Sequence, residues 1–266
     1  MASNPPSTDI SERHYAIFPS LRGRKVLITG GATGIGEVLV SRFAEQGARV
    51  ALIDVQDEPA KLLIERITRA GHMAPLYVHC DLSNINAVRD SVAQIISSFG
   101  GMDVLVNNAG NDQRHTIEEV SPEMWDQVMA VNLRHHFFII QAALTALKQS
   151  ANGSIINMSS IAWMIPSTGL PVYIAAKAAV VGLTRTLAHE VGKDNIRVNC
   201  VLPGAIVTDR QNRLWLTPEY SAEILSCQAL KRHLIPDDVA RFVLFLAADD
   251  SSAMTGQSYI VDGGWA

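Results

Sequence analysis

Cysteine is scarce in this 266-residue chain: Cys80, Cys200 and Cys227 stand far apart, too few and too scattered for a disulfide framework or a zinc site. That scarcity fits a reducing cytoplasm. His79, Cys80 and Asp81 are adjacent, but neighbours along a strand point to opposite faces, so no metal is expected there. An excess of charge is missing too. With 22 Lys and Arg against 26 Asp and Glu the formal net charge is -4, and no basic cluster marks a nucleic-acid surface. No apolar run approaches the ~18 residues of a membrane span, and the N-terminus lacks the basic-then-apolar pattern of a signal peptide. N-x-S sequons at Asn152 and Asn157 carry no weight in a cytoplasmic chain.

What remains is 48% hydrophobic and 18% charged, the proportions of one soluble globular domain with a large core. Residues 1 to about 20 are polar and rich in Pro and Ser, and read as a mobile extension whose end is pinned by Tyr15, Ile17 and Phe18. From Lys25 onward strand-like and helix-like segments alternate. Val26–Thr29, Val50–Asp54, Pro75–His79, Val104–Val106, Ser154–Met158, Arg197–Val201 and Ser258–Val261 are short runs rich in β-branched residues, and each of the first six leads into a loop and a helical pattern. Continuous apolarity implies strands covered on both faces. The expectation is therefore an α/β, doubly wound parallel sheet of Rossmann type in a single domain.

In such sheets ligands bind beyond the carboxyl ends of the strands, and the informative residues fall there. After the first strand come Thr29-Gly30-Gly31-Ala32-Thr33-Gly34-Ile35-Gly36, opening a helix that runs to about Gly47. Glycines in that place let a diphosphate approach the helix N-terminus, where free N–H groups and the dipole favour an anion. The second strand ends on Asp54, whose carboxylate can accept from both adenosine ribose hydroxyls and would repel a 2′-phosphate. Val55, Gln56 and Thr33 put no basic group nearby, so NAD is favoured over NADP. Asp81 and Leu82 end the third strand, with Asp81 placed for the adenine amino group. Asn107, Asn108, Ala109 and Gly110 end the fourth, small enough for backbone to pack close to a ribose.

The stretch from Ile155 to Lys177 carries the chemistry. It runs as a buried strand, breaks at Ser159 and Ser160, and resumes as an Ala-rich helix carrying Tyr173 and Lys177 at i and i+4, one above the other on one face. A phenol must fall by roughly two to three pKa units, about 3 to 4 kcal/mol, to act as a base near neutral pH. An ammonium at about 4 Å in an effective dielectric near 20 supplies on the order of 4 kcal/mol, so the pair can make a proton-transfer tyrosine. Ser160 could hold the oxygen whose proton moves. Asn132 is polar amid apolar residues in a helical stretch from Ser121 to about Gln149; read alone, it is a hydrogen-bonded core amide.

Taken together, Thr29-Gly-x-x-x-Gly34-x-Gly36, Asn107-Asn-Ala-Gly110, Asn132, Ser160, Tyr173-x-x-x-Lys177 and Pro203-Gly204 resemble the short-chain dehydrogenase/reductase family over about Gly23 to Trp265. The resemblance implies a seven-stranded sheet, a nicotinamide cofactor and a catalytic set of Ser160, Tyr173, Lys177 and Asn132. By that likeness Tyr173 is the base in oxidation, Lys177 lowers its pKa and holds the nicotinamide ribose, Ser160 orients the reacting oxygen, and Asn132 steadies a water in a proton relay. The cofactor set it implies is Gly30, Thr33, Gly34, Ile35, Gly36, Asp54, Asp81, Leu82, Asn108, Ala109, Gly110, Tyr173, Lys177, Pro203, Gly204, Ile206 and Thr208. It also implies a homotetramer or homodimer, and a lid at about 208–230.

A narrower likeness, to bacterial aldose 1-dehydrogenases of the D-xylose type, rests on Asn111-Asp112-Gln113-Arg114-His115, Asn132-Leu-Arg-His135, Thr217-Pro-Glu219, the ending Val261-Asp-Gly-Gly-Trp265 and the entry near Tyr15. It implies NAD-dependent oxidation of the C1 hydroxyl of a cyclic sugar to a lactone. Asn111, Arg114, His115, Trp163, Met164 and Gln211 are the candidate substrate residues, though the Arg114 guanidinium and the Asp112 carboxylate could equally form a structural ion pair. Another alcohol or carbonyl, such as a polyol or a 3-oxoacyl thioester, is the second enzyme reading. A dinucleotide sensor without turnover is the reading from a different class.

Overall fold

The computed structural model describes residues 15–266. The β-branched runs become strands almost where their composition places them: β1 Lys25–Thr29, β2 Arg49–Asp54, β3 Leu76–His79, β4 Val104–Asn107, β5 Gly153–Met158, β6 Ile196–Pro203 and β7 Ser258–Val261. All pair in parallel in one seven-stranded sheet of order β3-β2-β1-β4-β5-β6-β7. Successive strand residues alternate between two cores. Val26, Ile28, Val104 and Val106 join one with α1 (Gly34–Glu45), α2 (Asp57–Arg69) and α9 (Pro236–Ala247). Leu27 and Leu105 join the other with α3 (Ile85–Phe99), α5 (His135–Lys148) and α6 (Pro171–Val191). Helices thus cover both faces, which is why the inner strands are largely apolar.

The order reverses between β1 and β4: the chain moves outward to β3 and then returns to the other side of β1, leaving a crevice at the carboxyl ends of the two strands. Register brings the ends level. Ile28 is paired with Val106 and Asn107 with Asn157, so Thr29, Asn107 and Asn157 form a row along that edge. Asn107 Nδ2 donates to Asn157 Oδ1 at 2.9 Å and Asn157 Nδ2 to Thr184 Oγ1 at 3.0 Å, a fully buried polar chain that seats α6 against the sheet.

One helix departs from its expected form. The run from Ser121 to about Gln149 divides into α4 (Pro122–Met129), a single π-turn at Ala130–Arg134, and α5. Such a turn inserts one residue into an otherwise regular helix, which periodicity alone does not reveal, and it carries Asn132. Beyond β6 lie α7 (Asp209–Leu214) and α8 (Pro218–Cys227), the latter capped by Thr217 Oγ1, which accepts from Tyr220 N at 3.2 Å with Pro218 in the first turn.

At the amino-terminal side Phe18 packs on Phe245 at 6.3 Å between ring centroids and its N–H donates to Gln46 Oε1, while the Arg241 guanidinium lies on the Tyr15 ring. Ile17 makes no such anchor, being 78% exposed. The rest of the expected extension, residues 1–14, lies outside the described residues. Cys80, Cys200 and Cys227 are free thiols, no helix among the described residues is long and apolar enough to cross a membrane, and no metal-binding cluster occurs among them.

Candidate active site

The glycine turn and the end of β4 are built against each other. Gly30 takes a positive φ of 62°, and a Cβ there would stand 2.8 Å from Ala109 Cα; one on Gly36 would fall 1.9 Å from the Gly30 carbonyl oxygen and 2.8 Å from Asn108 Nδ2. No side chain fits in either place. Asn108 Nδ2 donates to the carbonyls of Thr29 and Gly30 at 3.0 Å each, and Thr29 Oγ1 accepts from the N–H groups of Asn108 and Ala109. The resulting floor leads to the N-terminus of α1, where Thr33, Gly34 and Ile35 open the helix.

Asp54 is buried at 7% exposure at the end of β2. Its Oδ2 accepts from Ala32 N at 3.0 Å, and its Oδ1 from Val55 N at 2.8 Å and Gln56 N at 3.0 Å. The carboxylate therefore shapes the turn, and one of its roughly four lone-pair sites, on Oδ2, remains for a further donor. Gln56 Nε2 donates to Thr33 Oγ1, while His79, in register with Asp54 on β3, lies 2.8 Å from the Asp57 carboxylate. Asp81 Oδ1 accepts from Ser83 N, closing the turn after β3, and Leu82 is buried beside it. On the far side Gly204 N donates to Val261 O, Ile206 is buried and bridges to Leu234, and the Thr208 methyl lies 3.6 Å from where a Gly34 Cβ would be. The Pro203–Thr208 segment thus faces the glycine turn across the crevice.

Ser160, Tyr173, Lys177 and Asn132 come together behind this floor. Ser159 Oγ donates to the Lys177 carbonyl at 2.6 Å and Lys177 Nζ to the Met158 carbonyl at 3.0 Å, fixing α6 to the end of β5. Ser160 Oγ accepts from Ala162 N at 3.1 Å, which leaves its own proton to donate, and it lies alongside the Tyr173 phenol. A Cβ on Gly110 would be 3.2 Å from both Asn132 Oδ1 and Lys177 Nζ, so those atoms flank the same small space. Asn132 Nδ2 spends both protons on backbone, at Asn111 O and Val128 O, while Oδ1 accepts from Asn111 N at 2.8 Å. It is a hydrogen-bonded core amide that ties the π-turn to the loop after β4, and only a lone pair on Oδ1 is left for a water.

The electrostatics correct one expectation. Lys177 Nζ stands 5.6 Å from the Tyr173 ring centroid, and the phenol is pushed up rather than down: burial is the largest cause, and the charge of Asp112 adds to it. Ser160 and Arg114 oppose the rise without overcoming it. Burial likewise lowers Lys177 to about 8. Desolvation of the phenolate prevails, and the Lys177 ammonium is turned toward the Met158 carbonyl, neither of which an i, i+4 spacing reports.

The candidate substrate residues divide. Asn111 Oδ1 accepts from Arg210 at 2.9 Å, and Gln211 Nε2 donates to Asp112 Oδ2 at 3.2 Å, so both line the gap between the loop after β4 and α7. Arg114 does not pair with Asp112. It donates to the Thr168 carbonyl at 3.1 Å and stacks over Trp215 at 5.5 Å, while the partner of Asp112 is Arg210. His115 is buried at 4% exposure, its Nδ1 3.0 Å from Gln113 O and its N–H on Gly169 O, so it holds the loop in place. Trp163 and Met164 follow Ser160 on a short turn and remain 37% and 42% exposed. Arg210 was not foreseeable: nothing in Thr208-Asp-Arg-Gln singles out that arginine until the fold sets it against a loop 98 residues away.

The family model described as Enoyl-(Acyl carrier protein) reductase matches residues 30–266. A Rhizobium meliloti (strain 1021) protein named "Probable galactose dehydrogenase" is 48% identical over 247 residues, 93% of this chain and 96% of that one. A D-xylose 1-dehydrogenase of Caulobacter vibrioides (strain NA1000 / CB15N) is 46% identical over 250 residues, 94% of this chain and 98% of that one. Among solved structures, a variant of a Serratia marcescens short-chain dehydrogenase/reductase superposes with a TM-score of 0.85 at 32% identity, covering 92% of this chain and 99% of that one.

Proposed function

This chain belongs to the short-chain dehydrogenase/reductase family and is an oxidoreductase acting on CH–OH donors, and from that premise we propose that it oxidises the C1 hydroxyl of a cyclic pentose or hexose to an aldonolactone with NAD. The observation that carries the reading is the convergence of Ser160, Tyr173 and Lys177 beside the glycine turn, at the edge where the sheet order reverses. The sugar is supported by relatives at 46% and 48% identity whose names specify D-xylose and galactose. The polar wall of Asn111, Asp112, Arg114 and Gln211 supports it too.

The residues fit a nicotinamide dinucleotide: the turn leaves no room for a Cβ at Gly30 or Gly36, and Asp54 keeps one acceptor site on Oδ2 beside that turn. Gly30, Thr33, Gly34, Ile35 and Gly36 would hold the diphosphate, Asp54 the adenosine ribose, Asp81 and Leu82 the adenine, and Asn108, Ala109 and Gly110 the nicotinamide ribose. Pro203, Gly204, Ile206 and Thr208 would border the nicotinamide. NAD, when bound, supplies the hydride acceptor. Ser160 donates its free hydroxyl proton to the substrate oxygen, and Tyr173 takes the proton that oxygen gives up. Lys177 has two donors beyond the Met158 bond for ribose hydroxyls, and the Asn132 Oδ1 lone pair can hold a water that carries the proton on. Segment 208–230 would act as a lid, and exposed Trp125, Phe137 and Ile260 suit a homodimer or homotetramer.

Incubation of the purified protein with NAD and a panel of aldoses, polyols and 3-hydroxyacyl thioesters is expected to reduce NAD with an aldose; no aldose turnover removes the sugar reading. Because the phenol is pushed up, kcat/KM for oxidation should climb with pH as Tyr173 loses its proton, giving an alkaline optimum. A profile that falls from neutral pH upward contradicts the assignment of Tyr173. Asp54→Asn keeps an oxygen for the turn while deleting the charge. It should weaken NAD binding by about tenfold or more and narrow the preference over NADP, read by calorimetry with each nucleotide. A wild type that already prefers NADP would contradict this assignment for Asp54.

A further inference from the structure

The chain ends in Asp262-Gly-Gly-Trp265-Ala266, a run directly after β7 that composition leaves without a task. Asp262 is buried at 5% exposure. Its Oδ1 accepts from Gly264 N at 2.8 Å, and its Oδ2 from Trp265 N at 3.0 Å and Ala266 N at 2.7 Å. Three backbone donors on one buried carboxylate fold the end of the chain back into a turn.

Two parts of the candidate active site rest on this turn. The first is Pro203-Gly204: Pro203 is in register with Val261, and Gly204 N donates to Val261 O at 3.0 Å. A Cβ on Gly204 would stand 2.7 Å from both Asp262 Cα and Cβ, so only glycine lets the end of β6 lie this close. The second is the short turn that Ser160 begins. Trp265 packs against an apolar cluster of Ile161, Val180, Cys200 and Leu202, in which Ile161 directly follows Ser160 and Leu202 directly precedes Pro203.

The turn is in turn held from outside. Ala229 N donates to Gly264 O at 3.1 Å and Leu230 N to Gly263 O at 2.9 Å, and a Cβ on Gly264 would fall 2.8 Å from Ala229 Cβ. Gln228 is buried, and its Nε2 fixes that stretch by donating to the Leu230 and Arg232 carbonyls at 3.0 and 2.8 Å. Farther along the same stretch the Leu234 carbonyl accepts from Val207 N at 2.8 Å. The segment from Gly204 to Val207 is thus bonded to Val261 at one end and to Leu234 at the other.

We propose that Asp262 and Trp265 are positioning residues for hydride transfer: the carboxylate holds the turn on which Gly204 rests, and the indole braces the apolar cluster between Ser160 and Pro203. The inference rests on Pro203 and Gly204 bordering the nicotinamide and on Ser160 holding the reacting oxygen, as proposed above. Hydride transfer is steep in geometry, and a misplacement of about 1 Å can cost on the order of 100-fold in rate. A brace behind both partners therefore acts on turnover without touching either. The adenosine end is independent of it, because Asp54 and Asp81 follow β2 and β3 at the opposite edge of the sheet from β7.

The test compares wild type, Asp262→Ala, Trp265→Ala and Trp265→Phe. Calorimetry with NAD and with adenosine diphosphate ribose, which lacks the nicotinamide, needs no substrate. Asp262→Ala and Trp265→Ala should weaken NAD by about fivefold while binding adenosine diphosphate ribose as the wild type does. With whichever alcohol is turned over, kcat at saturation should fall about tenfold or more in both, and Trp265→Phe should restore most of each loss by returning a ring to the cluster. Equal losses for the two nucleotides would mean a general structural defect and overturn the proposal. So would wild-type NAD affinity and kcat in the variants, or a raised KM for the alcohol at unchanged kcat, which would make Trp265 a substrate contact. A wild type that binds neither nucleotide overturns the cofactor reading and this inference with it, whereas a wild type that binds both, matched by its variants, overturns the inference alone. If Asp262→Ala does not fold, Trp265→Ala and its rescue by Trp265→Phe carry the test.

Discussion

Tyr173→Phe is expected to lower turnover by about 100-fold or more while the affinity for NAD is retained. The substitution removes one oxygen and leaves the ring between Ser160 and Lys177, so the seat of α6, made by Ser159 on the Lys177 carbonyl and Lys177 on the Met158 carbonyl, is untouched. What disappears is the atom that receives the proton. Steady-state kinetics with the best aldose, beside NAD titration by calorimetry, separates the two effects. Equal loss of binding and turnover would mean the ring shapes the cofactor site, and full turnover would mean another group accepts the proton. Persistence of the biological role in a variant without turnover would favour a dinucleotide sensor.

Gly36→Val is expected to weaken NAD binding by about 100-fold or more, equivalent to about 3 kcal/mol. Even its first added atom would lie 1.9 Å from the Gly30 carbonyl oxygen and 2.8 Å from Asn108 Nδ2, and the first of these is backbone that a rotamer change cannot clear. The turn must move away from the end of β4, breaking the bonds from Asn108 Nδ2 to the Thr29 and Gly30 carbonyls. Circular dichroism should show the sheet and helices intact, because the core residues of β1 are not displaced. Retained affinity would show that the diphosphate is held elsewhere.

Much of the architecture was legible because both faces of every inner strand are buried. Val26 to Ile28 or Val50 to Ile53 can be apolar without a break only in a sheet covered by helices, so composition reports the class directly. Glycine spacing reports the turn for a similar reason: the clash at Gly36 is local and excludes every other residue. The π-turn was not legible, since one inserted residue between α4 and α5 leaves the apolar pattern almost unchanged.

The chain's own order of residues determined which side chains were available for the chemistry and where along the chain they stood: Ser160 after a strand, Tyr173 and Lys177 one helical turn apart, Asp54 at a strand end. Those are consequences of local geometry, which reaches only a few residues. Tertiary structure decided the charge balance at the phenol. Burial lifted Tyr173 and lowered Lys177, Asn132 was consumed by the loop it anchors, and Arg210 came to pair with Asp112 from across the crevice. Desolvation and the pull of neighbouring charges depend on distances between segments that folding alone brings together, so no spacing along the chain could have carried them.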